Sequence, residues 1–400
     1  MSRHGLYNNG NTCFMNAALQ CLSVTPSICN FIRIYNTEDE NLIKLITKFN
    51  LGKCKTDTIK LECRKILDNQ KETLTNDEIQ ILTKLEKSSD DIFIYISFKD
   101  LIKKLDSNRQ NNTDNNTISQ IDRKPLDASP LLSITRELAS GSIFENLFNG
   151  SQNDPHEFLA YILDRLHNSK STSIQIKLPS NLNEIDNYYK LYLQHFKTRY
   201  ENDYSYFVKN LYYYIINCVE CSKCKNISTT FNPNDIICIP VPTQVNDKMI
   251  TIYDCLNEMF KTDNIDYTCE KCGNKDKNLI ENKIFSKPKT FIIKLKRYSS
   301  TLNGRSTFKL NNMICYPDIL NINKYFCGKA ETNYKLYGII NHSGSLNGGH
   351  YYSYVKNINP DYKTFNEQWL CCNDTQVSNI SDEQAMASQN AYMLFYSLIE

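Results

Sequence analysis

The chain has 400 residues, long enough for one large domain or two to three ordinary ones. Its 46 basic and 44 acidic residues leave a net charge of +2, so no whole-chain field draws in nucleic acid or an anionic membrane. With 41% hydrophobic residues, including 26 Tyr and 18 Phe, it can bury a large core, which excludes global disorder.

No stretch approaches the roughly 18 continuous apolar residues of a membrane span. The start, Met1-Ser-Arg-His-Gly, lacks the apolar core of a secretory signal, so a cytoplasmic location is expected. Sixteen cysteines are too sparse for a disulfide scaffold, and in a reducing compartment they point to metal binding or catalysis.

In chain order, residues 13–22 (CFMNAALQCL) read as a short helix: Phe14, Ala17, Ala18 and Cys21 share a face, and Thr12 is a natural N-cap. Pro26 closes that region. Helical patterns fill about 38–105. Leu42, Leu45, Ile46 and Phe49 make one stripe, and Asn76 caps a segment carrying Ile79, Leu82 and Leu85. Residues 107–119 (SNRQNNTDNNTIS) have almost no apolar content and are expected as a mobile surface loop. Helix resumes at Pro130 and ends in Asp154-Pro-His-Glu-Phe-Leu. There Asp154 is the N-cap, Pro155 sits at N1, and Phe158, Leu159, Ile162, Leu163 and Leu166 form the buried stripe. After about 205, strand-like runs take over at 236–241, 291–298, 334–341, 351–355, 369–372 and 392–396. An α-rich first half and a β-rich second half predict an α+β fold.

Cys13 follows Gly5-Leu-Tyr-Asn-Asn-Gly-Asn-Thr and opens the first helix. A thiol in a helix's first turn feels the positive end of the macrodipole, which lowers its pKa and enriches the nucleophilic thiolate. The Asn- and Gly-rich approach can set an amide side chain and backbone N–H groups around a developing oxyanion. Alone, one cysteine among sixteen at a helix start reads more simply as a small core residue. The second half supplies a partner. In YKLYGIINHSGSLNGGHYYSY, from Tyr334 to Tyr354, Gly348 and Gly349 leave the backbone bare just before His350. A strand of alternating Tyr follows, which would hold an imidazole rigidly. Trp369-Leu-Cys-Cys-Asn373-Asp374 then offers short polar side chains at a strand end to orient that imidazole.

The segments GLYNNGNTCFMNAALQCL, QNDPHEFLAYILDRLH, FIIKLKRYS and YGIINHSGSLNGGHYYSYV together resemble the ubiquitin-specific protease family of cysteine deubiquitinases, in that family's order and over residues 5–398. The resemblance implies one papain-like α+β catalytic domain over 1–400. It would have a helical thumb at about 1–170, zinc-bearing β fingers at about 205–290 and an antiparallel β palm at about 290–400. It implies Cys13 as nucleophile, His350 as its general base, Asn373 as the third catalytic residue and Asn8 as the oxyanion-hole side chain. Asp374 stays open as an alternative third residue, or as a support for the oxyanion. Asp154 and Glu157 match acidic positions that in relatives bind the Arg-bearing tail of ubiquitin, a role that suits carboxylates facing guanidinium. His342, Gly348 and Gly349 match the channel that takes the tail. Asn9, Phe14, Asn153 and Pro155 depart from the usual residues, and none removes a chemically required group. The surplus length between Cys13 and Gln152 falls around 70–122.

Cys221-Ser-Lys-Cys224 and Cys269-Glu-Lys-Cys272 are two Cys-x2-Cys pairs. Four thiolates from two tight turns satisfy tetrahedral Zn²⁺ with no open position, so the expected site is structural. Cys218 leaves the register ambiguous, because Cys218-Val-Glu-Cys221 has the same spacing. Asn226 and Ser228 favour the later pair, as does the family's placing of it before Phe231-Asn-Pro. The function implied is hydrolysis of the isopeptide or peptide bond after the C-terminal Gly of ubiquitin, with no cofactor beyond structural zinc. Ubiquitin and ubiquitinated proteins are the implied partners, for a monomer in cytoplasm or nucleus that binds neither nucleic acid nor membrane. Two alternatives are a protease for another ubiquitin-like modifier and an inactive ubiquitin-binding module.

Overall fold

The computed structural model of the chain describes residues 3–53, 56–106, 124–179, 186–242, 249–300, 307–328, 331–345 and 348–399. The predicted loop at 107–119 lies outside the described residues. The chain divides into two compact units.

The first unit takes Met1–Ser171 together with Ile358–Thr364 and Cys372–Ser378. Its helices are α1 (Cys13–Leu22), α2 (Pro26–Ile34), α3 (Asn36–Lys48), α4 (Thr56–Gln70), α5 (Asn76–Asp106), α6 (Ser129–Ala139) and α7 (Pro155–Ser169). Every residue of α1 is buried, so this helix is core all round rather than along one stripe. Its Phe14 meets Phe158 of α7 edge-on, with ring centroids 6.2 Å apart. The α7 stripe is where the periodicity put it, with Phe158, Leu159, Ile162, Leu163 and Leu166 all buried. Asp154 caps that helix by accepting the His156 N–H at 2.9 Å, and Pro155 fills the first turn. Asp39 of α3, fully buried, joins three elements. Its carboxylate accepts from Lys99 (2.5 Å), Lys170 (2.8 Å) and the Tyr95 hydroxyl. A buried carboxylate persists only with such paired donors.

Three local readings change. Pro26 opens α2 instead of closing α1, because a first-turn N–H has no helical partner to lose. The Thr12 side chain does not cap α1; its hydroxyl accepts the Asn9 N–H at 3.0 Å and donates to Asn8 Oδ1 at 3.3 Å. At the start of α5 the cap is Thr75 rather than Asn76. Thr75 Oγ1 accepts the Glu78 N–H at 3.2 Å and Glu78 Oε2 accepts the Thr75 N–H at 2.9 Å. This is the reciprocal box that a Thr-x-x-Glu sequence allows.

The second unit takes Thr172–Asn357, Phe365–Cys371 and Asn379–Glu400. Its helices are α8 (Asn187–Tyr200), α9 (Tyr206–Asn210), α10 (Ile252–Met259) and α11 (Asp382–Met386). The strands begin with β1 (Tyr213–Glu220), β2 (Ile227–Asn234), β3 (Ile236–Pro240), β4 (Ile250–Thr251), β5 (Asp263–Asp266) and β6 (Lys277–Ile284). Next come β7 (Thr290–Lys296), β8 (Tyr298–Ser300), β9 (Thr307–Lys309), β10 (Ile314–Cys315) and β11 (Ile319–Asn321). The last are β12 (Asn333–Ser345), β13 (Gly348–Ile358), β14 (Phe365–Asn373), β15 (Gln376–Ile380), β16 (Ala387–Ser388) and β17 (Ala391–Leu398), of which Ile358, the end of β14 and most of β15 count in the first unit.

The largest sheet has the order β15-β14-β13-β12-β17-β7-β3, with β11 beside β12. Its core holds Ile239, Ile293, Leu295, Leu336, Leu394 and Trp369. A second, antiparallel sheet has the order β2-β1-β6-β5. Most of the helix lies in one unit and the sheets dominate the other, which makes the protein α+β. Among the described residues no helix is long and apolar enough to cross a membrane.

Arg297, between β7 and β8, is fully buried. Its guanidinium donates to the carbonyls of Ala391 (2.5 Å), Leu310 (2.9 Å), Asn312 (3.0 Å) and Ser388 (3.1 Å). Burial pulls its pKa down to about 10, yet the charge is kept because the planar fork matches these acceptors. Arg297→Met leaves the carbonyls without that donor. The expected loss is about 3–5 kcal/mol in urea unfolding, and a loss below about 1 kcal/mol would contradict this account of the residue.

Candidate active site and metal centre

Cys13 is the first residue of α1 and only 3% exposed. The strand-like approach to it is held by backbone bonds. Leu6 N–H donates to the Asp374 carbonyl (2.8 Å), Leu126 N–H to that of Gly5 (2.9 Å) and Tyr7 N–H to that of Leu126 (3.0 Å). A Cβ at Gly5 would run into the carbonyls of Asp374 and Thr375, so glycine is required by this close approach. Asn8 Oδ1 accepts the Thr12 N–H at 3.0 Å, which orients the amide. Its Nδ2 then donates to Asp374 Oδ2 at 2.9 Å. Nδ2 carries two hydrogens, and the carboxylate takes one.

Asp374 is held in turn. Its Oδ1 accepts from Asn16 Nδ2 at 2.8 Å, and the same Asn16 nitrogen donates to the Tyr7 carbonyl at 3.2 Å. Asn16 lies one turn beyond Cys13 and is 2% exposed. The β14 strand ends at Asn373, which is exposed, and Asp374 adopts a left-handed turn with φ 49°. Aspartate tolerates that conformation. Strand alternation therefore describes Asn373 and does not extend to Asp374. Asn16 was not singled out from the sequence. Its signal was an amide at i+3 from Cys13 in an otherwise apolar turn. In the same unit, Asp154 is engaged at the head of α7 and Glu157 stands exposed in that helix's first turn.

His350 belongs to the second unit. It lies on β13 opposite Ser343 of β12 and is partly buried. His342, 3% exposed, lies opposite Tyr351, its ring 4.5 Å from the tyrosine's, and its Nδ1 is 3.1 Å from the Tyr298 hydroxyl. A Cβ at Gly349 would run into the His342 ring and the Ser343 carbonyl. Glycine there lets the two strands close beside His342. Gly348, which precedes it, begins β13 and is partly buried.

The sulfurs of Cys221, Cys224, Cys269 and Cys272 all lie within 4.8 Å of one another. Each pair sits in the same kind of turn. In the first, Cys221 N–H donates to the Asn226 carbonyl (2.9 Å), Lys225 N–H donates to the Cys221 carbonyl (3.0 Å), and Lys225 is left-handed with φ 58°. In the second, Cys269 N–H donates to the Asn274 carbonyl (2.9 Å), Gly273 N–H donates to the Cys269 carbonyl (2.8 Å), and Gly273 has φ 69°. Tetrahedral Zn²⁺ with bonds of about 2.3 Å spaces its sulfurs about 3.8 Å apart. The Cys221–Cys272 and Cys224–Cys269 separations are both 3.7 Å, so the four residues fit such an ion. The Cys224 N–H donated to its sulfur, helped by the neighbouring thiols, draws the Cys221 pKa down to about 6. Cys218 pairs with Thr229 and Glu281 in the middle of β1 and stays outside the group. Asn278 of β6, fully buried, links the turns. It accepts the Ser222 N–H at 2.9 Å and donates to the Tyr267 and Asp276 carbonyls at 2.7 Å each.

The first unit thus carries a helix-borne thiol with an oriented amide nearby, and the second carries a strand-borne imidazole and a four-thiol group that could hold a metal ion. The pattern of the ubiquitin carboxyl-terminal hydrolase family matches residues 4–396, and the chain belongs to that family. It is 27% identical over 299 residues to ubiquitin carboxyl-terminal hydrolase 4 of Saccharomyces cerevisiae, an alignment covering 67% of this chain and 31% of the yeast protein. The chain thus spans about a third of the length of this relative. It is 25% identical over 441 residues to "Probable ubiquitin carboxyl-terminal hydrolase R319" of Acanthamoeba polyphaga mimivirus, covering 98% of this chain and 89% of that one. Among solved structures it is similar to the "SAGA Ubp8/Sgf11/Sus1/Sgf73 DUB module bound to ubiquitin aldehyde", with a TM-score of 0.63, 23% identity and coverage of 99% of this chain and 70% of that one. At that identity the likeness shows a shared fold.

Proposed function

We propose that the chain is a thiol-dependent deubiquitinase that hydrolyses the isopeptide or peptide bond after ubiquitin's C-terminal glycine. The observation that carries this reading is the oriented Asn8 amide ahead of Cys13, braced by Asp374 and Asn16. An amide fixed before the reaction stabilises negative charge without reorganising, which is how an oxyanion donor lowers a barrier. A family relative bound to ubiquitin aldehyde supports ubiquitin as the substrate.

His350 takes the Cys13 thiol proton, and the sulfur attacks the glycyl carbonyl carbon. The carbonyl oxygen becomes an oxyanion facing the Asn8 amide. As the C–N bond breaks, His350 gives its proton to the leaving amine and a thioester remains on Cys13. Water, deprotonated by His350, attacks the thioester and releases the ubiquitin carboxylate and the thiol. Asn373 orients His350, and Asp374 holds Asn8. Asp154 and Glu157 take the arginines of the ubiquitin tail, while His342, Gly348 and Gly349 line its path. Cys221, Cys224, Cys269 and Cys272 would hold Zn²⁺, which ties the β1–β2 and β5–β6 turns and leaves the chemistry to the chain. Reduced thiols at both places suit the cytoplasm.

Asn373→Ala is expected to lower kcat by about 10- to 1,000-fold, because a neutral orienting partner adds less than the nucleophile. Asn373→Asp retains activity. Asp374→Ala is impaired to a similar degree through Asn8. Wild-type rates for Asn373→Ala with no turnover by Asp374→Ala would move the third catalytic place to Asp374. The reading as a whole is tested with ubiquitin carrying a C-terminal fluorogenic amide, alongside other ubiquitin-like modifiers. Turnover of ubiquitin supports it. Preference for another modifier, or binding without turnover, overturns it.

A further inference from the structure

The β8–β9 ribbon sets Tyr298 directly opposite Lys309, and opposed residues of an antiparallel pair share a face. Both reach His342. The Tyr298 hydroxyl is 3.1 Å from its Nδ1, and Lys309 Nζ donates to its carbonyl at 2.7 Å. Lys309 Nζ also lies 3.3 Å from the Gly344 carbonyl.

The register of β12 explains why a lysine is used there. Its pairing with β17 ends at Asn341 opposite Ala391, after which the His342 N–H donates to the Asn390 carbonyl at 2.8 Å. In a strand, residues two apart turn their N–H and C=O to the same edge. The carbonyls of His342 and Gly344 therefore face the edge that β17 has left, whereas Ser343 faces β13 and lies opposite His350. The ammonium of Lys309 supplies the donors that a further strand residue would have supplied. Burial, and then the charge of Arg297, lower its pKa, as befits an ammonium drawn out of water onto backbone acceptors.

We propose that Lys309 is a positioning residue for His350: by gripping the carbonyls on either side of Ser343, it holds rigid the end of β12 against which the His350 segment of β13 is paired. This rests on the deubiquitinase reading only for its kinetic test. Without the ammonium, the end of β12 is free to shift, and the His350 ring spends less time where it can accept the thiol proton.

The experiment compares the wild type with Lys309→Met, Lys309→Gln and Lys309→Arg on the fluorogenic ubiquitin substrate, with histidine-selective NMR of the same proteins. Lys309→Met should lower kcat about 10-fold or more while KM stays within about threefold. Lys309→Arg should recover at least about a third of the rate. Lys309→Gln, which keeps donor hydrogens without the charge, should fall between them, and it stands in for Lys309→Met if that variant unfolds. The His350 ring signal should shift or broaden in Lys309→Met and return in Lys309→Arg. That readout needs no turnover, so it separates failure of this proposal from failure of the proposed activity. A His350 signal identical in all variants, or a kcat untouched by Lys309→Met, overturns the assignment. A loss that Lys309→Arg shares in full, tracking melting temperature, overturns it as well.

Discussion

Cys13→Ala is expected to abolish hydrolysis of a ubiquitin C-terminal amide, with kcat falling on the order of 10⁴-fold or more, while affinity for ubiquitin is retained. The substitution removes one sulfur from the first residue of a helix that is buried along its whole length. Alanine suits that position by size and helix propensity, so the fold persists. The remaining groups still bind and polarise the carbonyl, but no covalent intermediate forms. The checks are steady-state turnover and isothermal calorimetry of the variant with ubiquitin. Robust turnover by Cys13→Ala would assign the chemistry elsewhere.

Removing the proposed zinc is expected to produce the second large effect. Four thiolates brought within reach of one ion make binding free energy part of folding free energy. Strong chelation, or Cys269→Ser, should therefore lower melting temperature by at least about 5 °C, as about 2 kcal/mol or more of stability is lost. Activity should fall with it. The two turns are short and their sulfurs crowd together at 3.7 Å, an arrangement that without an ion leaves only weak thiol contacts. Metal analysis should find one zinc per chain. Protein free of zinc with an unchanged melting curve would contradict the account.

The parts of the molecule legible in the sequence are those where one residue type can do only one thing. The α7 stripe and its Asp154 cap follow from 3.6-residue periodicity and proline at N1. The six strand-like runs correspond to β3, β7, β12, β13, β14 and β17, and most of them are rich in β-branched and aromatic residues. The β1, β2, β5 and β6 sheet was harder to read. β2 keeps only Phe231 buried, so its sequence carries little alternation. At the helix ends, Thr12 and Asn76 looked like caps, but capping depends on which local partner wins. Asn8 and Asn9 engage Thr12, and Glu78 completes a box with Thr75.

Around the cysteine, the Asn and Gly residues of 5–11 were readable as a polar loop ahead of the helix. The bonds from Asn8 and Asn16 to Asp374 span more than 350 residues, and no local pattern encodes them. The left-handed turn at Asp374 was equally hidden, since short polar residues at a strand end do not specify the turn that follows. Lys309 lay outside any motif, because its role depends on where β17 stops pairing with β12.

The most direct test is to incubate the wild-type protein with ubiquitin bearing a C-terminal electrophile and to map the adduct by peptide mass spectrometry. The chain carries sixteen cysteines, so the position of the adduct is informative. The account predicts a single ubiquitin adduct on Cys13, lost in Cys13→Ala and slowed in Asn8→Ala. Labelling of a different cysteine, or no adduct under conditions where the protein is folded, would contradict it.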